Sequence, residues 1–377
     1  MSMPAERPAA NSGPRQPAPP TDADKITISS IGSALLDNSA HRELRTQIRA
    51  LLAQLEMRGP ANPERSGVDD GQLWASLSAS LSRAGIGLVD VRGGRQRMWE
   101  TLSVAAEELG GVPVDVPLLT SSVIAATMTR RLGQHDLASR LLRGATTATF
   151  LTPYEQPFRS TAAGRFRDGR VWATVDGVAG AAHADLMLVL CEDKLVCFDR
   201  EGADLTPAAC LDATRALSEV SVRGALATVL AQGDRVLHAA AAAAAAASAL
   251  LAVEQAALAE TCRRLIGVDA EEPATQRSGR HAINLDKARS AARYAVQCLA
   301  VEDPHASIAV STARVVCSAV SFRAAHDAQS ARPDCRTASL LAERARGSAL
   351  AFGGPVWHRR RLANLVTLSV PDTHPVL

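Results

Sequence analysis

The chain has 377 residues, 41 Lys and Arg against 39 Asp and Glu, a formal net charge of +2, and only 6 Phe, 4 Trp and 2 Tyr. This length gives two or three domains and enough chain for a sizeable core. The near-neutral balance excludes a broad electrostatic footprint for nucleic acid or an anionic membrane. A hydrophobic share of 47%, carried mainly by Ala, Leu and Val, excludes a wholly disordered chain and points to helices packed with small side chains.

Residues 1–30 read as a disordered tail, because AERPAANSGPRQPAPPTDAD offers too little apolar surface to offset ordering. It has no apolar core of a signal peptide. Helical spacing starts at His41 in HRELRTQIRALLAQL and recurs from Gln72 to Arg83. GIGLVDVRGG breaks it; helices resume over Met98–Leu109, Leu119–Leu132 and Asp136–Leu142, so 31–145 is expected to be an N-terminal helical domain.

The period then changes. TATFL, GRVWATVDG, ADLMLVLCEDKLVCFD and SEVSVRG are strand-like, with EDK as a hairpin turn, and 146–235 is expected to be a small β-barrel or sandwich. After Val236 the run AAAAAAAAASALLAVEQAALAETCRRLIG predicts a helix, since Ala loses no side-chain entropy on folding. Segments at Asp286–Val301, Pro304–Ala325, Thr337–Ala351 and Arg359–Val366 complete an antiparallel four-helix bundle over 236–370. The expected fold class is therefore α+β. The apolar stretch Leu237–Val253 is expected to be too short and too alanine-rich to span a bilayer, so no membrane partner is expected. Seven scattered cysteines without a C-x-x-C pair read as reduced thiols of a cytoplasmic protein, with no zinc or other metal site.

Seven strings stand in order along the chain: AGIGLVDVRGG, VAAEELGGVPVDVPLL, FLTPYEQPF, GRVWATVDGVAGAAHADLMLV, LDATR, LLAVEQAALAETC and LAERARGSALAFGGPVWHRRRLANLV. Together they resemble the acyl-CoA dehydrogenase family, and most closely its divergent actinobacterial branch acting on CoA thioesters of steroid side chains and similarly bulky acids. The resemblance covers nearly everything after His41. It implies a helical domain, a middle β domain and a C-terminal bundle. It also implies FAD, which takes a hydride from the β-carbon of an acyl thioester while a desolvated glutamate removes the α-proton. Family members hold the flavin with a Thr-Glu-Pro strand, a Trp-x-Thr/Ser strand, an Arg-x-Gln-Phe segment and a Gln…Gly-Gly loop; the last two come from a neighbouring subunit.

This chain departs from that pattern at every device. Thr152 and Pro153 remain of the first, without the glutamate between them. GVAGAAHAD has no tryptophan; Trp172 lies one strand earlier. Neither CRRLIGVDAEEPATQRSGRHAI nor YAVQCLA contains Arg-x-Gln-Phe. Gly353-Gly354 remains, but the nearest upstream glutamine is Gln329, and no acid follows before Asp372. The resemblance thus offers Thr152, Pro153, Gln329, Gly353 and Gly354 as residual cofactor contacts. It implies FAD held mainly by a partner subunit, or none in this chain.

The place of the base is empty or filled by His358, since neutral imidazole accepts a proton near pH 7; the plainer reading is a structural residue opening a basic helix face, and the run to Arg361 could likewise meet phosphates or only solvent. Asp334 is a weaker substitute, or a solvated loop carboxylate. His326 and Asp327 could form an acid/base pair, or only meet the end of a helix dipole. His281 could face a ligand, or sit solvated at a helix start. Arg215 could meet a CoA phosphate or substrate carboxylate, or form a surface ion pair.

Joint loss of flavin and base motifs points to a degenerate subunit of an oligomeric α2β2-type acyl-CoA dehydrogenase. A homologous subunit would then hold FAD and the glutamate, and together they would introduce an α,β double bond into a bulky acyl thioester of CoA or a carrier protein. Two alternatives stand beside it: a repurposed fold doing elimination, hydrolysis or cyclisation in secondary metabolism, and a non-catalytic structural subunit.

Overall fold

A computed structural model describes residues 39–57, 67–87, 93–158, 163–267 and 272–369; the predicted tail, 1–30, lies outside the described residues. The first helices are α1 (Ser39–Met57), α2 (Gly67–Arg83) and α3 (Gly94–Gly110). Leu44, Ile48 and Leu52 recur every fourth residue of α1 and are all buried, the stripe that docks a helix on a core. Arg45 pairs with Glu107 and Glu108, and Arg49 with Glu108 at 2.7 Å, which ties α1 to α3. A π-helical segment, Leu118–Ala125, has all eight residues buried and runs into α4 (Ala126–Arg131), followed by α5 (His135–Leu142).

The middle region is a sandwich of two four-stranded sheets. The strands are β1 (Ala148–Phe150), β2 (Gly164–Arg167), β3 (Arg170–Ala179), β4 (Leu186–Cys191), β5 (Lys194–Asp199), β6 (Ala203–Ala208), β7 (Leu217–Leu226) and β8 (Thr228–Gln232). Their orders are β1-β4-β5-β8 and β2-β3-β7-β6, with β1 parallel to β4. Inward residues such as Val171, Val175, Met187, Val189, Val196 and Val220 form the core between the sheets. The β4–β5 hairpin pairs Cys191 with Lys194, so the turn is Glu192-Asp193 and Lys194 already belongs to the strand. Sequence patterning missed β2, β6 and β8. β2 carries two arginines in four residues, and β6 holds Pro207; both lie at sheet edges, where one side needs no ladder partner.

The bundle consists of α6 (Asp234–Gly267), α7 (Glu272–Ala300), α8 (Ala306–Ala331), α9 (Arg336–Leu350) and α10 (Pro355–Ser369). Helix α6 packs against α7, α8 and α3. Close approach to α3 depends on Gly110, where a Cβ would lie 2.3 Å from the Glu254 carbonyl. The expectation that the alanine-rich stretch is too short and weakly apolar for a bilayer is corrected: the helix extends well past Leu237–Val253, and its best window reaches a mean hydropathy of 2.0. By length and composition α6 and α8 are both able to cross a membrane, but 72% of the α6 window is buried inside the protein, as a central helix requires. Helix α7 starts at Glu272 rather than Asp286, so His281 is not at a helix start; it is buried within α7.

Candidate functional site

Beyond Phe150 the β1 chain continues along the sheet: Leu151 N–H donates to the Leu188 carbonyl at 2.8 Å, and Pro153 bridges Val178. Tyr154 N–H then donates to the Gly177 carbonyl at 2.8 Å, and this extension delivers the Tyr154 side chain to the junction with the bundle. From the other side, the four residues between α9 and α10 bring Phe352 and the Gly353-Gly354 pair. Phe352 N–H donates to the Tyr154 carbonyl at 2.7 Å, and the two rings meet edge-on at 5.2 Å. Phe158 packs on Phe352 at 5.6 Å and stacks on Phe150 at 5.3 Å. A third of the chain's scarce aromatics therefore fills one junction.

The loop is held in uncommon backbone geometry. Phe352 has φ +49, outside the usual range for a bulky residue. Gly353 has φ +96, and a Cβ there would lie 2.9 Å from the Trp357 ring. The glycine pair thus lets the chain turn tightly against Trp357, in the first turn of α10.

Polar groups surround the aromatic fill. The Arg215 guanidinium lies 5.0 Å from the Tyr154 ring centroid and 3.7 Å from Glu254, and both charged residues are buried. This corrects the surface ion pair expected for Arg215: the LDATR loop folds inward, fixed by Asp212 accepting from Thr214 N–H at 2.9 Å and by Ala216 N–H donating to Asp115 at 2.8 Å. Burial pushes the Tyr154 hydroxyl up to about 12, and it has no hydrogen-bond partner among the described residues.

Behind this layer Arg314 of α8 is fully buried. It donates to Gln255 Oε1 at 2.8 Å and to the Ser348 and Ala351 carbonyls at 3.0 and 2.9 Å. A cation at the carbonyl end of α9 complements that helix's dipole, and the same side chain ties α6, α8 and α9 together.

His358, in the first turn of α10, has 0% exposure, and neither ring nitrogen has a partner among the described residues. Burial, with help from Arg314 and Arg361, holds its pKa near 3. It is neutral at pH 7 and a poor proton acceptor. The remaining residues singled out in the sequence lie elsewhere. His326 is twelve residues beyond Arg314, about 18 Å along α8 at 1.5 Å per residue. It is exposed, and so is Asp334. Asp327 does not pair with His326; it meets His281 Nε2 at 2.9 Å, which corrects both expectations. Gln329 accepts from Arg346 at 3.1 Å rather than standing at the glycine pair. The structure brings Thr152, Pro153, Arg215, Gly353, Gly354 and His358 to the junction and leaves His326, Asp327, Gln329 and Asp334, with His281 against Asp327, around the far end of α8. Sequence reasoning missed Tyr154, Phe352, Glu254 and Arg314.

No family model and no curated protein matches the sequence. Solved structures do match its fold. The ChsE4-ChsE5 complex from Mycobacterium tuberculosis superposes with a TM-score of 0.70 at 17% identity over 90% of this chain and 100% of that one. Butyryl-CoA dehydrogenase from Megasphaera elsdenii gives 0.70 at 12% identity over 88% and 99%. A variant of the Tcur3481-Tcur3483 steroid ACAD gives 0.65 at 17% over 90% and 98%. The chain has the acyl-CoA dehydrogenase fold: helices, a two-sheet sandwich, and a C-terminal bundle in that order.

Proposed function

We propose that this chain is the subunit without a flavin of its own in an α2β2-type acyl-CoA dehydrogenase. A homologous subunit carries FAD and the α-proton base, and the assembly desaturates a bulky acyl thioester. The observation that carries this reading is the direct contact of Tyr154 with Phe352. In the family pattern a subunit's Thr-Glu-Pro strand contacts flavin, and the Gly-Gly loop that completes that site comes from the neighbouring subunit. Here the chain's own loop is bound to its own strand, by a 2.7 Å hydrogen bond and by ring contacts. With Arg-x-Gln-Phe, the strand tryptophan and the glutamate also missing, the residues present do not fit a flavin.

Three further points support it. Helix α10 contains no carboxylate, and His358 is too poor a base to replace one. Fold neighbours include the ChsE4-ChsE5 complex and the Tcur3481-Tcur3483 steroid ACAD, each named as a pair of chains. The last three helices expose Phe322, Val356 and Val366 at 51, 59 and 47%, large apolar groups of the kind an interface covers. In this reading the assembly works in the cytoplasm, where its seven free cysteines stay reduced.

The chain's own contribution is structural. Tyr154, Phe352 and Arg314 fix the junction in a closed form, and the exposed bundle helices meet the partner. The test is purification alone and after co-expression with an adjacent homologue that retains the flavin motifs. The isolated chain is expected to be colourless after incubation with FAD and inactive toward acyl thioesters; the co-purified complex is expected to be yellow and active. A stoichiometric flavin spectrum in the isolated chain overturns the proposal.

A further inference from the structure

The outer face of the second sheet carries an arrangement unconnected with the junction. The register places Arg165 of β2, Trp172 of β3 and Arg223 of β7 in one row across three adjacent strands. At about 4.8 Å between strands, the two arginine Cα atoms are about 10 Å apart with the indole between them. Thr174 and Ser221 are paired in the next row on the same face. All five residues line one open cleft of about 540 Å³.

Two features give this row the character of a built site. Trp172 lies over bare backbone: a Cβ at Gly224, which has φ +83, would sit 3.3 Å from the indole. The ring is thereby backed and partly open to solvent. Arg165 and Arg223 have no ion-pair partner among the described residues, whereas nearby Arg167 is paired with Asp168 at 3.3 Å. Both guanidinium groups are exposed and can turn their N–H forks toward an anion lying over the row.

The size of the anion is bounded by what flanks the row. Asp204 is paired with Ser221, and Glu219 follows two residues before it on β7; both acids are exposed. The positive strip is one row wide, which suits a single small anion and disfavours a nucleic-acid strand. A flat aromatic face with two guanidinium forks and hydroxyls matches a planar ring bearing phosphate, because rings stack on tryptophan and phosphate takes paired N–H donors from arginine.

We propose that this cleft binds a nucleotide, with its base on Trp172 and its phosphates held by Arg165 and Arg223, which flank that ring. That chemistry has two sources, a free nucleotide and the nucleotide end of coenzyme A.

The test is calorimetric titration of the full chain with ADP, coenzyme A, adenosine and inorganic phosphate. Saturable binding of ADP or coenzyme A is expected; ADP binding as tightly as coenzyme A identifies a free nucleotide as the source, and tighter binding of coenzyme A identifies its nucleotide end. Arg165→Ala and Arg223→Ala are each expected to weaken binding by about tenfold or more, the loss of one charged hydrogen-bonding group, with unchanged thermal unfolding. Trp172→Phe keeps a stacking face and is expected to retain binding. Failure of both ADP and coenzyme A to bind at millimolar concentration overturns the proposal, as does binding indifferent to both arginines. Inorganic phosphate binding as tightly as either nucleotide would remove the role of Trp172 and overturn it too.

Discussion

Replacing Tyr154 by phenylalanine gives the sharpest reading of the filled junction, because the sign of the effect is opposite to that of most core changes. The side chain is 0% exposed and its hydroxyl has no partner among the described residues. A buried hydroxyl without a hydrogen bond costs about 1–3 kcal/mol by protein mutational measures. Tyr154→Phe removes that cost and keeps the edge-on contact with Phe352, the Arg215 guanidinium over the ring, and both backbone hydrogen bonds of residue 154. The variant is therefore expected to be more stable, by about 1–2 kcal/mol. Urea unfolding of the two proteins, with an unchanged slope and a higher midpoint for the variant, checks it. A loss of more than about 1 kcal/mol would mean that the hydroxyl has a partner. The junction would then not be closed by the chain's own side chains, and the reasoning would fail.

Other consequences follow from the same geometry. Phe352→Ala is expected to cost about 3–5 kcal/mol in the same unfolding assay, since it removes the ring shared by Tyr154 and Phe158. Gly353→Ala places a Cβ against Trp357 at φ +96 and is expected to cost more than about 1 kcal/mol. His358 titrates near 3 when folded against 6.5 when free, so between those values the unfolded chain binds the extra proton. Its contribution is complete above pH 6.5 and falls as pH drops, by up to about 1.4 kcal/mol per unit. His358→Leu is expected to flatten the difference between unfolding midpoints at pH 7 and pH 5; an equal pH slope in both proteins refutes this. Phe322→Asp, at a half-exposed position on α8, is expected to weaken co-purification with the homologous subunit while leaving the unfolding midpoint of the isolated chain unchanged.

Much of the architecture was legible because it is local. Leu44, Ile48 and Leu52 announce α1 by spacing alone, and the alanine run announces α6 by propensity. The strands that escaped notice, β2, β6 and β8, are short, and two of them alternate only between half-buried and exposed positions, so their apolar signal is weak. The site was legible only as a set of missing motifs. What replaces them joins residues far apart: Tyr154 with Phe352, Gln255 with Arg314, and His281 with Asp327. No periodicity relates such pairs. Arg314 is a case in point, since a single arginine in ASIAVSTARVVCSAVSF looks like the solvent side of a helix. Its burial is compensated by Gln255 of α6 and by the Ser348 and Ala351 carbonyls at the end of α9, which only packing brings to it. One available clue went unread: in a chain so poor in aromatics, Phe150, Tyr154 and Phe158 lie within nine residues on the very segment that resembles the flavin-contact strand.

Flavin counted per subunit in the purified complex with the homologous chain bears most directly on the central claim. With both subunits quantified by amino-acid analysis and flavin released and measured by absorbance, the account predicts one FAD for each pair of unlike chains, all of it lost when the homologue's own flavin motifs are mutated. One FAD per chain, or flavin retained after that mutation, would contradict it.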